Sequence, residues 1–456
     1  MNKSAKLGWK NWLSIILIGF IGQIAWAIEN QYINLWVYSQ SQNAEHITWM
    51  TMASAVAATL TTFFMGALSD RLGKRKIFIA GGYVAWGVSV FLFGLMSRSN
   101  MEWMVGAGSA SLMVGIMNTV VDCVMTFFGS TSNDACFNAH VTDVTNEHNR
   151  PKVESILSVM PLFAVVAMIG IGYILGLPGD GTASAKDIAQ PWFYFFLIFG
   201  VLTTVIGIAA FFIIPKDDIA PNRDEPYFKN LIYGFRPSTI KKAPLFYIAL
   251  LSFMFFNIAT DAFMPYYLVY FQKTLGMGND QFIPAMGIIM GVASLLVILV
   301  GLFMDKIGKL KLLIPSIVIM FAGALIFFFV TSYPWVVFAG CVLMFGYLIG
   351  TAVLGAELRD QTPVQDVGLF QGVRMVFAVM LPMIIGSNVS LWCFQSTYIN
   401  DYGETTRLPD KWMFLVVAVS CLLAIAPALW LIIKVKKTPV APTAIPVQEP
   451  ENKKAE

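Results

Sequence analysis

Hydrophobic runs long enough to cross a lipid bilayer recur along the whole chain, separated by short polar connections. A spanning helix needs about 20 apolar residues, and a lone strand cannot span because lipid leaves its backbone groups without hydrogen-bond partners. The runs that reach this length are 13–38, 48–68, 77–96, 106–138, 154–176, 191–214, 244–271, 281–303, 312–331, 335–356, 370–395 and 411–433. The fourth run starts anywhere from Trp103 to Leu112. The pattern predicts an all-α integral membrane protein with about twelve transmembrane helices.

The composition supports a chain embedded in lipid. Of its residues, 57% are hydrophobic and only 12% are charged, whereas soluble domains carry about 25% charged residues. The formal net charge of +3 gives no reason to expect a nucleic-acid partner. The five cysteines all lie in apolar runs, and no pair has metal-ligand spacing. We therefore expect no bound metal and no cofactor.

Basic residues are distributed unevenly between the two sides that the runs define. All Lys and Arg residues fall in the N-terminus, the inner connections or the C-terminal tail, except Arg98, Lys186, Lys273, Arg407 and Lys411. Because positively charged connections stay in the cytoplasm, we expect both termini to be cytoplasmic in a multi-pass protein of the cell membrane (inner or plasma membrane).

The longest connection on the predicted cytoplasmic side divides six runs from six. It is polar and contains several prolines. We therefore predict a helical bundle over residues 1–214, a cytoplasmic loop over 215–243 and a second bundle over 244–433. The Pro- and Lys-rich segment 434–456 has the composition of a disordered cytoplasmic tail.

The second and eighth runs end in the same motif. Glycine, aspartate, a basic residue and a second glycine follow one another with the same spacing in both. The residues are Gly66, Asp70, Arg71 and Gly73 in the first copy, and Gly301, Asp305, Lys306 and Gly308 in the second. Parallel halves of this kind are typical of transporters, in which the ligand site lies near the membrane midplane between the halves.

The duplicated motif resembles the loop signature of the major facilitator superfamily, and the resemblance extends over roughly residues 10–434. It implies two pseudo-symmetric six-helix bundles that move a solute by alternating access, and no enzymatic activity. It also implies that Asp70 and Asp305 act in gating. Each would bond the positive N-terminus of a helix from across the bundle and hold one side of the molecule shut.

A finer resemblance lies in the fourth run. The stretch Asp134–Thr142 is similar to the glycoside–pentoside–hexuronide cation symporters and the related sucrose-type carriers. An acid, an aromatic residue three positions later and a valine before the loop follow in the same order. The resemblance implies that Asp134 belongs to a cation and sugar site. The second run departs from the sodium-coupled members, which carry aspartates there, because residues 50–66 contain no acid. This departure argues against sodium coupling and leaves proton coupling or facilitated diffusion as alternatives; if an ion is coupled, we expect H⁺ rather than Na⁺.

Carboxylates inside membrane helices are candidates for function, because burying a charge there costs about 2.5–3.5 kcal/mol on insertion scales. Glu29, Asp122, Asp134 and Asp261 stand out. Glu29 and Asp261 are each followed eight residues later by Val-Tyr, so they occupy equivalent places in the two halves. Their protonation could couple transport to a proton gradient, and a purely structural role for each is the alternative.

Polar residues recur every four positions in the fourth run, at Thr126, Ser130, Asp134 and Asn138. At that spacing they share one face of an α-helix and predict either a cavity lining or a polar seam between helices. Asp122 lies 12 residues before Asp134, about 18 Å along a helix axis. It is therefore not expected to share a small-ligand site with Asp134.

The first run carries a second polar stripe, which comprises Gln23, Trp26, Asn30 and Asn34. A sugar requires this mixture, because amides both donate and accept hydrogen bonds while an aromatic ring covers the apolar sugar face. Bonding between helices is the alternative. The predicted binding residues are Gln23, Trp26, Glu29, Asn30, Ser130, Asp134, Asn138 and Asp261.

The leading hypothesis is a monomeric sugar or glycoside permease with H⁺ symport. A carrier of the same fold for a drug, a nucleoside or an organic acid is one alternative, and a non-transporting membrane receptor is another. An organic anion is disfavoured because only Arg374 lies near a run as a candidate partner. A receptor is disfavoured because the connections are too short to fold independently.

The predicted topology can be tested by labelling single cysteines in a cysteine-free background. A cysteine at Asn222, in the central connection, is expected to react only from the cytoplasmic side, and one within 178–190 only from outside. Labelling of the Asn222 position from outside would contradict the twelve-helix topology.

Overall fold

The computed structural model describes residues 7–145, 150–177, 185–217, 233–362 and 367–437. Within these ranges the chain is helical apart from short connections and one two-stranded hairpin. The predicted all-α membrane fold is thus confirmed, with the hairpin as an addition. Most of the predicted central loop and nearly all of the predicted tail lie outside the described residues, so the division into domains stays a prediction.

Twelve helical segments follow the twelve predicted runs in order. In the first half they are Trp9–Ser41, Ala44–Leu72, Lys76–Phe93, Ala107–Val144, Arg150–Ile174 and Ala185–Ile213. In the second half they are Pro244–Asp261, Asn279–Ile307, Lys309–Phe329, Tyr333–Asp360, Gly372–Cys393 and Trp412–Lys437. In the described part of the chain, 11 of these are long and apolar enough to cross a membrane, and the fifth contains the shorter apolar stretch Val159–Ile174.

Short elements connect the long helices. A one-turn 3₁₀ helix and a short α-helix precede the seventh helix, another short helix lies between the third and the fourth, and the hairpin lies between the eleventh and the twelfth. Their bounds are Tyr233–Phe235, Pro237–Lys242, Arg98–Val105 and the strands Thr397–Ile399 and Thr405–Arg407. The open start of the fourth helix is settled at Ala107, because Gly106 has a φ of 81° and ends the preceding helix.

The seventh helix is shorter than the predicted run 244–271. It ends at Asp261, turns through the next five residues and resumes as Tyr267–Val269 followed by Tyr270–Thr274. Pro265 explains the break, because a proline has no N–H to donate and its ring clashes with the carbonyl four residues earlier, which here is that of Asp261. The helix predicted over 244–271 is thus interrupted after Asp261, and the break leaves Asp261 at a helix end.

Within the described residues, wide π-helical turns interrupt four of the membrane helices. They are Ile28–Ile33 in the first, Ser130–Phe137 in the fourth, Tyr270–Thr274 in the resumed seventh and Val376–Met380 in the eleventh. A π-turn holds more residues than an α-turn and is frequent at functional sites. It therefore changes which side chains share a face, and the turns in the first and fourth helices contain Glu29 and Asp134 respectively.

Close approach of helices depends on glycine within each half. A Cβ at Gly87 of the third helix would lie 2.5 Å from the backbone oxygen of Gly200 in the sixth, and a Cβ at Gly346 of the tenth would lie 2.4 Å from the backbone nitrogen of Met320 in the ninth. In lipid, no hydrophobic effect drives helices together. Small residues stabilise their association instead, because they allow tight van der Waals contact.

The two halves contact each other along the second and eleventh helices and at the hairpin. Gly372 of the eleventh helix lies against the Phe63 ring, and the Asn388 amide lies 2.8 Å from the sulfur of Met52. The end of the molecule that carries the hairpin, called the hairpin end below, is closed by polar contacts. There the hydroxyl groups of Tyr38 and Tyr398 lie 2.9 Å apart.

Gln42 is the centre of this closure. It caps the first helix in the left-handed conformation, with a φ of 51°. Its side-chain amide donates to Asp401 Oδ2 at 2.6 Å, and its Oε1 accepts from the Asp401 backbone N–H at 2.9 Å. Its backbone carbonyl accepts from the hydroxyls of Tyr398 and Thr406 at 3.1 and 3.0 Å. Gln42 thus makes four of the hydrogen bonds that join the hairpin of the second half to the first half.

We expect Gln42→Ala to open the hairpin end. The substitution removes two side-chain hydrogen bonds worth about 0.5–1.5 kcal/mol each, which corresponds to a shift of about 5- to 150-fold in the open-to-closed ratio. Spin labels at the exposed Asn100 and Ile399 report the separation by double electron–electron resonance, and a longer-distance population should grow. Ser39→Ala is the control, because that hydroxyl donates to the Trp36 carbonyl of its own helix. Identical distance distributions in Gln42→Ala and the parent would contradict the assignment.

Candidate functional site

A cavity of about 400 Å³ lies between the two halves. Side chains of the first, second, fourth and fifth helices line one side, and side chains of the seventh, tenth and eleventh line the other. Its polar and aromatic lining is Gln23, Trp26, Glu29, Asn30, Gln31, Asn34, Thr51, Ser54, Asp122, Thr260, Asp261 and Tyr347. Among the described residues on this lining there are three carboxylates and no Lys, Arg or His. The cavity therefore has acceptors, amides and rings but no fixed positive charge.

The structure brings the predicted residues of the first helix together with Asp261. Gln23, Trp26, Glu29 and Asn30 all face the cavity, and Asp261 faces it from the end of the seventh helix. The amides of Asn30 and Asn34 also donate to backbone carbonyls one turn earlier in their own helix, at 2.9 and 3.0 Å. Each of these amides keeps its side-chain oxygen as an acceptor for a ligand.

Ser130, Asp134 and Asn138 are placed outside this lining. The Asp134 carboxylate accepts from the Ser130 hydroxyl and the Asn133 amide, both at 3.1 Å, and from the Trp26 indole. The exposed Asn138 donates to the Asp134 backbone carbonyl at 3.1 Å. The π-turn Ser130–Phe137 explains the difference from the predicted stripe, because a spacing of four residues no longer keeps one face within it. Asp134 thus contacts the cavity only through Trp26.

Trp26 is held firmly between the first, third and fourth helices. Its ring centroid lies 5.0 Å from that of Trp86, at an interplanar angle of 57°. A Cβ at Gly129 of the fourth helix would lie 3.2 Å from the Trp26 ring, so glycine there leaves room for the indole. The ring is half-buried and presents its free part to the cavity. It can therefore cover an apolar face of a bound solute.

Glu29 belongs to a hydrogen-bonded cluster with the second and fourth helices. The Ser54 and Thr126 hydroxyls each lie 3.0 Å from Glu29 Oε1, and they lie 2.7 Å from one another. Asp122 contacts the same Ser54 hydroxyl. Glu29 and Asp122 are only 8% and 1% exposed, so both carboxyl groups are nearly sealed from solvent at the cavity wall.

Asp122, Ser54 and Tyr347 line the cavity but are not among the predicted binding residues, although Asp122 is one of the four acids that stand out in the sequence. Asp122 was set aside because its distance was measured from Asp134, which lies outside the cavity. A usable signal was present, since Asp122 and Thr126 are four residues apart on the α-helical part of the fourth helix and therefore share one face. For Ser54 and Tyr347 the sequence offers no signal that separates them from other polar residues in membrane helices.

The far wall is formed by the second half. Asp261 and Tyr347 lie close enough there for the Asp261 charge to act on the Tyr347 hydroxyl. At the edge of the cavity the Tyr267 hydroxyl donates to Gln31 Oε1 at 3.2 Å, which joins the two halves. A solute in the cavity would therefore contact both halves at once.

The duplicated motif occupies equivalent turns in the two halves. Gly73 and Gly308 have φ angles of 61° and 90°, which only glycine adopts without strain. Gly66 lies on the second helix where it faces Ala135 of the fourth, and Arg71 is exposed. The side chains of Asp70, Asp305 and Lys306 lie outside the described part of the structure, so their predicted gating role stays a prediction.

Ion pairs follow the motif in both halves. In the first half Arg75 Nε lies 3.2 Å from Asp143 at the end of the fourth helix, and the Arg75 guanidinium also donates to Ser69. In the second half Lys309 pairs with Glu357 at 2.8 Å and also with Asp360 at the end of the tenth helix. In each half, ion pairs thus join the turn after the motif to the end of a membrane helix, which is the fourth in the first half and the tenth in the second.

Comparison with solved structures finds the same fold in solute carriers. The nucleoside transporter NupG matches with a TM-score of 0.62 and 11% identity, over 93% of this chain and 98% of that one. A D-xylose–proton symporter matches with a TM-score of 0.64 and 16% identity, over 91% and 97%. A partially occluded, inward-open structure of the xylose transporter XylE from E. coli matches with a TM-score of 0.62 and 13% identity, over 92% and 96%. At these identities the likeness establishes the fold.

The family assignment comes from the sequence rather than from the likeness in fold. No curated protein matches the chain significantly. Residues 12–387, however, match the family model of the Major Facilitator Superfamily. That range includes both copies of the motif and the helices that line the cavity. The chain belongs to the major facilitator superfamily.

Proposed function

We propose that this protein is a secondary carrier that moves a neutral, hydroxyl-rich solute, a sugar, a glycoside or a nucleoside, by alternating access with H⁺ symport. The observation that carries the proposal is the cavity lining, which combines carboxylates, amides and an indole and has no basic side chain among its described residues. Hydroxyl groups of a solute can donate to the acceptors and accept from the amides. A proton supplies the positive charge that the lining does not.

The size of the cavity agrees with such a solute. Ligand pockets for small molecules have volumes of about 300–1,000 Å³, and this cavity has about 400 Å³. The fold neighbours give independent support, because they include a D-xylose–proton symporter and a nucleoside transporter. The finer assignment to the glycoside–pentoside–hexuronide branch rests on the Asp134–Thr142 stretch alone and remains part of the proposal.

The membrane orientation is proposed from the charge distribution. With both termini in the cytoplasm of a cell-membrane protein, the hairpin end faces outward. The contacts of Gln42 with the hairpin then close the outer side of the cavity. The carrier would act as a monomer, since one chain supplies both walls of the cavity.

An organic cation is a second candidate solute. Three carboxylates on one lining without a basic partner attract positive charge, and the rings of Trp26 and Tyr347 can hold a cation on their faces within about 6 Å. In that case the cation itself, rather than a proton, would neutralise the cavity. Exchange of the cation for a proton would then replace symport.

Uptake into proteoliposomes decides between these solutes. A panel of labelled mono- and disaccharides, nucleosides and quaternary ammonium compounds is tested with and without imposed proton and sodium gradients. We expect a sugar or a nucleoside to accumulate when the interior is alkaline, and the same solute to equilibrate without accumulating when no gradient is imposed. Uptake driven by Na⁺ alone at fixed pH would contradict H⁺ symport, and transport of ammonium compounds alone would favour the second candidate.

The role of Asp134 gives a sharper test. Because it contacts the cavity only through Trp26, we expect Asp134→Asn to loosen the indole and raise KM about 5- to 10-fold, roughly 1–1.4 kcal/mol. Solute accumulation should remain near that of the parent. Thr119→Val is the control, since its hydroxyl donates to the Gly115 carbonyl of the same helix. Loss of accumulation at unchanged KM would instead place Asp134 in the coupled step, as the family resemblance implies.

A further inference from the structure

Four polar side chains from three helices meet at one wall of the cavity. Ser54 of the second helix and Thr126 of the fourth both contact Glu29 Oε1, and they contact each other. Asp122 joins the cluster through Ser54. The remaining carboxyl oxygens, Glu29 Oε2 and Asp122 Oδ1, are buried and accept no hydrogen bond within the described structure. The two nearly sealed carboxyl groups thus share the Ser54 hydroxyl, Glu29 also accepts from Thr126, and each carboxyl has one oxygen without a partner among the described residues.

The cluster has fewer protons than hydrogen-bonding contacts when both carboxyl groups are charged. Each hydroxyl supplies one proton, and both are used if Ser54 and Thr126 donate to Glu29. The contact between the two hydroxyls and the contact of Ser54 with Asp122 then have no proton to share. One added proton reduces the shortage from two contacts to one, because a protonated Asp122 can donate to Ser54, Ser54 to Thr126 and Thr126 to Glu29, which leaves only the contact between Ser54 and Glu29 without a proton. If the proton lies on Glu29, the same chain runs in reverse.

The surroundings of the cluster supply no positive charge. The ionisable groups whose charges reach it are Asp134 and Cys123, both on the fourth helix. Asp261 faces it from the opposite wall of the cavity. The second helix adds no acid or base between residues 50 and 66. Every ionisable neighbour is therefore acidic, and burying two charged carboxylates side by side is costly unless one of them is neutralised.

We propose that Glu29, Asp122, Ser54 and Thr126 form a site that binds one proton, which the two carboxyls share through the two hydroxyls. This inference deepens the proposed H⁺ symport and rests on it, since it names where the coupled proton is held. The proton enters from water in the cavity and leaves to water, and no other bond forms or breaks. Asp122 and Glu29 hold it, while the hydroxyls carry it between them.

The geometry favours a proton over a metal ion at this site. A bound Na⁺ has to be surrounded by its oxygen ligands. Here the Ser54 hydroxyl, the Thr126 hydroxyl and Glu29 Oε1 already lie 2.7 to 3.0 Å from one another, at hydrogen-bond distance. These separations are those of direct hydrogen bonds between oxygens, and a proton fits between two oxygens at that distance.

The proton site can be tested without knowing the solute. Infrared spectroscopy of the full-length protein in lipid, recorded over a series of pH values, shows the band of protonated carboxyl groups. We expect one buried carboxyl band whose frequency changes, or which disappears, in both Glu29→Gln and Asp122→Asn. Thr126→Val should shift its frequency, because the frequency reports the hydrogen bond that the carboxyl makes. Thr131→Val is the matched control, since that hydroxyl donates only to the Phe127 carbonyl.

Several results would overturn the site. A band that responds to only one of the two acid-to-amide variants contradicts sharing. A band unchanged in both contradicts the site altogether, and loss of the band when Na⁺ is added at fixed pH identifies a metal-ion site instead. Ser54→Ala provides the same frequency test should either acid variant fail to fold.

Transport measurements separate this proposal from the proposed function. In Asp122→Asn, the number of protons moved per solute should fall more than tenfold, whatever solute movement remains. A number of protons per solute at the parent level in Asp122→Asn would overturn the site. If the parent moves no solute of the panel, the proposed function fails, and the infrared titration still decides whether the proton site exists.

Discussion

Every feature of the cavity depends on one constraint, which is that a carboxyl group inside the membrane must obtain its partners from the chain itself. Lipid cannot solvate it, and leaving a polar group unpaired there costs several kcal/mol. Glu29 meets the constraint with two hydroxyls from neighbouring helices, and Asp134 meets it with an indole, an amide and a hydroxyl. Asp134 therefore has a hydrogen-bond donor for each of its carboxyl oxygens. Glu29 and Asp122 share too few donors, and this difference separates a positioning role from a proton-binding one.

The amount of structure that can be predicted from the sequence follows from the same physics. Span number and order are encoded in the lengths of apolar runs, because the bilayer fixes the length of a helix that crosses it. The polar stripe of the first helix can also be predicted, since the spacing of Gln23, Trp26 and Asn30 is close to the α-helical repeat. The stripe in the fourth helix is misleading because it assumes that the period continues through Ser130–Phe137, where the π-turn changes it.

Other features depend on contacts between parts of the chain that are far apart in sequence. The hairpin has a local turn signal in Asn400, Asp401 and Gly403, which has a φ of 78°, but its strands are only three residues each. Its place is set by the bonds that Gln42 makes, more than 350 positions away in the chain. Similarly, nothing local distinguishes Ser54 from other hydroxyl residues, because its role comes from the two carboxyls beside it. Pro265, by contrast, is a local signal, because a proline inside an apolar run interrupts the helix that the run would otherwise form.

The two halves share a fold but differ in chemistry. The first half holds Glu29, Asp122 and Asp134, whereas the second presents Asp261 alone to the cavity, beside Tyr347. The first helix also connects the proton cluster to the closure, because Glu29 and Gln42 stand 13 residues apart on it, a distance of about 20 Å. Opening of the hairpin end can depend on the proton only if the first helix has different positions in the protonated and unprotonated states. The π-turn that holds Glu29 lies within this helix, where a change in helical winding alters the position of everything beyond it.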